Sequence, residues 1–176
     1  GGMAEVLVGW AFVASGVVAL WQRPENRTGT LLLLAGLGWD AEVLQTSDSS
    51  WPFVVGVAAG GLFFGALISL VAVFPAGRAQ STAERLLVAG AIVEGALLIP
   101  LQLLLIDTGE DGLCPDCPRN PLALTRDDAV AAVANALPMV FGGVLAVGVI
   151  ARLVVVYRQS STGGRRMLTP LALAGS

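Results

Sequence analysis

The chain has 176 residues, of which 55% are hydrophobic and only 13% charged. A soluble domain carries about 25% charge, so this composition points to lipid as the solvent. There is no His and no Lys, which excludes His-based catalysis, His metal ligation, Schiff-base chemistry and a P-loop lysine; the net charge of −3 indicates no nucleic-acid partner.

A membrane helix needs about 20 mainly apolar residues. The sequence predicts an all-α, polytopic transmembrane bundle with five full spans and the start of a sixth, as one integral-membrane module over 1–176. The first span covers about 3–21, with Glu5 near its outer end. It lacks the basic start and small-residue cleavage site of a signal peptide. The second covers 29–46 and is loaded at its end by Asp40 and Glu42. The third, 51–74, has no charge and stops at Pro75. Gly56 and Gly60 share one face of it, and Gly61, Gly65 and Ser69 another, because residues four apart align along a helix. Small residues at this spacing allow close helix approach, either within the chain or in a dimer.

The fourth span, 86–106, contains Glu94 and Pro100. A charged group at mid-membrane costs at least ~2.5–3.5 kcal/mol, so Glu94 is expected to face the bundle interior. It serves either as a proton- or ligand-responsive site or as a hydrogen-bond partner of Asn135, Gln102 or Ser69. The outer loop, 107–128, follows. The fifth span, 129–157, is about 43 Å long, more than the ~30 Å hydrocarbon core, so it tilts or projects. Pro100 and Pro138 are expected kinks. A sixth apolar stretch begins about 167.

Arg placement sets the orientation. Eight of the ten basic residues (Arg23, Arg27, Arg78, Arg85, Arg152, Arg158, Arg165 and Arg166) fall on one side of an alternating path. The positive-inside rule makes that side cytoplasmic and puts the N-terminus outside a plasma membrane. Trp21, Trp39 and Trp51 fall at span ends, where an amphipathic ring prefers the interface.

Cys114 and Cys117 flank Pro115 and Asp116 in the outer loop. In an oxidising compartment a disulfide clip is the main reading. A redox-sensing dithiol, a catalytic dithiol and half of a metal site remain alternatives, the last lacking a second pair of ligands to complete it. No nucleophile–base pair, phosphate-binding loop or cofactor motif is visible, so neither catalytic nor cofactor-binding residues are assigned.

Four loop segments occur in order: Arg23-Pro24-Glu25-Asn26-Arg27-Thr28-Gly29; Phe74-Pro75-Ala76-Gly77-Arg78-Ala79-Gln80-Ser81 followed by Glu84-Arg85; Cys114-Pro115-Asp116-Cys117-Pro118-Arg119-Asn120-Pro121-Leu122; and Arg165-Arg166-Met167-Leu168-Thr169-Pro170-Leu171. Set between hydrophobic spans, they resemble the N-terminal membrane region of actinobacterial sensor histidine kinases. Ala79 stands where that resemblance would have Leu. The resemblance implies a non-catalytic input module for a two-component kinase, homodimeric through the full-length kinase, with lipid as its solvent. It leaves the ligand unknown. The alternatives are a small proton-linked transporter or accessory subunit, for which Glu94 and Pro100 speak, and a membrane thiol oxidoreductase using Cys114 and Cys117.

Overall fold

In the computed structural model, residues 3–74, 76–108, 116–125 and 127–159 are described. They form helices and connecting turns, with no strand among them. Helix α1 runs Met3–Gln22, α2 Thr28–Glu42, α3 Ser50–Val73, α4 Thr82–Val93, α5 Ile99–Leu105 and α6 Asp128–Gln159. A 3₁₀ turn, Val43–Thr46, ends α2, and a π-helical turn, Glu94–Leu98, joins α4 to α5.

Among the described residues, four helical segments are long and apolar enough to cross a membrane: Ala4–Gln22, Ser50–Val73, Thr82–Leu105 and Asp128–Arg158. The second expected span, 29–46, is not among them. Its α-helical part has 15 residues, about 22 Å against a ~30 Å core. Asp40 and Glu42 end the apolar run there, and the chain tightens into the 3₁₀ turn. The sixth stretch, from 167, lies outside the described residues.

Neighbours in sequence are neighbours in space: α1 packs on α2, α2 on α3, and α3 on α4 and the π turn. Helix α6 closes against α4, α5 and α3. Glycine sets the α1–α2 spacing. A Cβ on Gly36 would stand 2.7 Å from the Gly9 carbonyl, and one on Gly29 2.9 Å from that of Gly16. In α3 the two small-residue faces serve different neighbours. A Cβ on Gly56 would strike the backbone of Gln45, and one on Gly60 would lie 3.1 Å from the Gln45 amide nitrogen. On the other face, Gly61 meets Ile99 of α5 at 3.0 Å, Gly65 meets the Ala91 carbonyl of α4 at 3.1 Å, and Ser69 is buried. Both faces are therefore occupied within the chain.

Trp39 lies between helices rather than only at a span end. Its indole N–H donates to the Glu5 carbonyl at 2.8 Å, and its ring meets Phe63 edge-on with centroids 5.1 Å apart. Phe63, Ala35 and Ala66 form the core there. By contrast α1 and α6 expose most of their length, with Trp10, Val140, Val147 and Ile150 all outward.

Candidate functional site

Helix α4 begins four residues before its expected start because Ser81-Thr82-Ala83-Glu84 forms a capping box. The Ser81 hydroxyl accepts from the Glu84 N–H at 3.2 Å, and Glu84 Oε2 accepts from the Ser81 N–H at 3.3 Å. The same oxygen accepts from the Gln80 N–H at 2.7 Å. The other, Oε1, accepts from Arg152 Nε at 3.0 Å and Nη2 at 2.6 Å. Glu84 is only 6% exposed. Four donors thus surround one buried carboxylate, and the start of α4 is tied to the end of α6. The sequence signals the cap, through its S-x-x-E spacing, but not the partner 68 residues away.

Beside this clamp, the loops 23–27 and 74–81 interlock. Asn26 Oδ1 accepts from the Thr28 N–H at 2.9 Å and the Thr28 hydroxyl at 2.7 Å. Its amide presses on Gly77, whose φ of +70° and lack of Cβ both leave room for it. Two of the segments that carry the sequence resemblance are therefore in direct contact.

Glu94 occupies the first position of the π turn and is 9% exposed. Its Oε1 lies 2.8 Å from where a Cβ on Gly142 would stand. Its Oε2 is buried without a hydrogen-bond partner among the described residues. The expected bond to Asn135, Gln102 or Ser69 does not form. Gln102 Nε2 instead donates to Asn135 Oδ1 at 2.9 Å, about two turns further along. The π turn has a local cause. Pro100 carries no N–H, and its ring would clash with the Ala96 carbonyl in a regular helix; widening the preceding turn to a bond from the Ile99 N–H to the Glu94 carbonyl relieves this. Pro138, by contrast, sits inside a continuous α6.

At the opposite end, the outer loop is held by Asn120, a residue that carried no assigned role. It is 4% exposed. Its Nδ2 donates to the Leu103 carbonyl at 2.5 Å and the Ile106 carbonyl at 2.8 Å, which caps the end of α5. Its Oδ1 accepts from the Leu122 N–H at 2.9 Å. The Leu124 N–H donates to the Leu104 carbonyl at 2.8 Å, and Arg119 pairs with Asp107 at 3.6 Å. Cys117 and Leu122 pack against a cluster of Phe53, Val54 and Leu103. Cys114 lies outside the described residues; among those described, no cysteine is a free thiol. No group of three or more acidic or thiol side chains with metal-binding spacing occurs among the described residues.

The charges separate accordingly. Arg23, Arg27, Arg78, Arg85, Arg152 and Arg158 gather at the end that holds Glu84, with Glu25 the other acid there, and Glu5, Asp40, Glu42, Asp48, Asp107 and Asp116 at the end that holds Asn120, with Arg119 among them. No protein-family model, curated protein or solved structure matches this chain.

Proposed function

We propose that this chain is the membrane-embedded input module of a two-component sensor histidine kinase. The observation that carries the reading is the double clamp on one broken helix. Helices α4 and α5, with the π turn between them, are held at one end by Asn120 of the outer loop and at the other by Arg152 of α6. A displacement of the loop pulls on α5, and the π turn offers a place where the rod can switch between packings. Glu84 delivers the result to the last turns of α6. The ordered loop segments add the kinase resemblance, and the contact between Asn26 and Gly77 supplies a reason for two of them to occur together.

In this reading the bundle crosses the plasma membrane five times, with α2 and its 3₁₀ turn as the second crossing. Together these are about 30 Å long. The N-terminus and the Asn120 end face outward, and the Arg-rich end faces the cytoplasm. Cys114 pairs with Cys117 and stiffens the loop that Asn120 anchors. Full-length protein in nanodiscs tests the role. Asn120→Ala and Glu84→Gln should each change the basal rate of autophosphorylation while ATP affinity is unchanged. A native reading frame without a phosphoacceptor His and an ATP-binding domain overturns the proposal.

One observation favours a second reading. Glu94 is a buried carboxylate with an unpartnered oxygen beside a π turn, as a proton-carrying site in a small transporter would be. Proton-coupled uptake into liposomes that Glu94→Gln abolishes would select it.

A further inference from the structure

Between α4 and α6, at the Arg-rich end, lies a groove of 980 Å³. Leu86, Leu87, Leu145 and Val155 wall it. Towards the middle of the bundle it closes, because α4 and α6 interlock: a Cβ on Gly148 would meet Leu87 at 2.8 Å, and one on Gly90 would meet Leu145 at 2.6 Å. At its other end stand Gln80, Glu84 and Arg152. The groove is thus apolar along its length and polar at the end where the helices leave the apolar layer.

The polar end holds a neutral ion pair with unspent donors. Glu84 is saturated by four donors. Arg152 meets it through Nε and one Nη2 hydrogen, which leaves the remaining three of its five N–H groups. Its side chain is 21% exposed. Arg158 lies one to two turns further along the same helix and is exposed. An acceptor with negative charge is the group this end lacks, and an acyl chain is what the apolar walls lack. We infer that the groove is a binding site for an anionic phospholipid, with one acyl chain along Leu87, Leu145 and Val155 and the phosphate at Arg152. The positive charge of Arg158, one turn beyond Val155 on the same helix, and the lateral position between two membrane-length helices select this occupant. The inference requires only that these helices stand in a bilayer, not that they signal. A bound lipid would nevertheless touch the Glu84–Arg152 clamp directly.

The test is native mass spectrometry of the detergent-purified chain with an equimolar mixture of dioleoylphosphatidylglycerol and dioleoylphosphatidylcholine. The unaltered protein should retain the anionic lipid about fivefold over the zwitterionic one, the effect of one arginine near the surface. Val155→Trp fills the groove from an exposed position and keeps every arginine; it should bring the ratio close to one. Arg152→Gln should do the same, and thermal unfolding of that variant checks that it folds. Arg85→Gln removes an arginine that does not line the groove and should leave the ratio unchanged. Equal retention of the two lipids by the unaltered protein overturns the inference. So does a preference that survives Val155→Trp, since it would then belong to the arginines generally. Full competition by soluble glycerol phosphate would show a headgroup site without a lipid groove, and overturns it as well.

Discussion

At the scale of single residues, the buried carboxylates separate into one that is satisfied and one that is not. Glu84 has its donors, and breaking a buried pair by removing one partner costs roughly 3–5 kcal/mol. Arg152→Gln should fall below that range, because the Gln80 and Ser81 amides still hold Glu84. Glu94 lacks a partner for Oε2, and an unsatisfied buried polar group costs about 1–3 kcal/mol. The unbranched, similarly sized Glu94→Met should therefore raise stability by about 1 kcal/mol. Unfolding in bicelles, followed by helix content, measures it; a loss would mean that the carboxyl does hold a partner. Gly142 is the other half of the same contact. Gly142→Ala gains about 1 kcal/mol of helix propensity but must displace the Glu94 carboxyl, the movable end of a flexible side chain, so stability should change by less than about 1 kcal/mol. In Glu94→Ala the same substitution should show its full gain, so a double-mutant cycle shows the coupling. Neither the pairing of Gly142 with Glu94 nor the absence of a partner for Glu94 Oε2 is legible in the sequence, since both depend on how α6 docks on the π turn.

At the scale of elements, α3 is the most legible. Its 24 residues contain no charge, and its two glycine faces follow from spacing alone. Which neighbour each face meets does not, because any close-packed helix would satisfy the spacing. The fourth span shows the reverse. Pro100 marks a disturbance, and the turn that relieves it sets Gly95 against Gly61, whose carbonyl lies 2.9 Å from where a Cβ on Gly95 would stand. The outer loop is held by its own hydrogen bonds as well as by any clip. Asn120→Ala would expose the Leu103 and Ile106 carbonyls without a donor. Hydrogen exchange should then speed up in 103–108 and 116–125 and stay unchanged in α1 and α2. Uniform acceleration would mean that Asn120 supports the whole bundle. Replacing both Cys114 and Cys117 by Ser should leave helix content unchanged, because the tie from Leu124 to Leu104 does not involve them.

At the scale of the whole molecule, the separation of charge predicts which end is reached from outside. In intact cells, an impermeant thiol reagent should label a cysteine at Ser49 and not one at Gln80, in a background where Cys114 and Cys117 are Ser. Both positions are exposed, so labelling reports sidedness rather than burial. The opposite pattern would invert the bundle, and labelling of both would break the alternating path.

Composition and pattern determined the helical class, the approximate helix positions and the charge asymmetry. These follow from local facts: hydrocarbon offers no partner to the backbone, so apolar runs become helices, and charges collect at their ends. Tertiary structure decided the rest. It seated Asn26 on Gly77 and brought Arg152 to Glu84 across 68 residues of chain. Each of these depends on which surfaces meet, and in helices rich in Leu, Val, Ala and Gly many pairings bury similar area. The contact is then chosen by the few polar groups and glycines that fit only one partner, which becomes visible only when the helices are placed side by side.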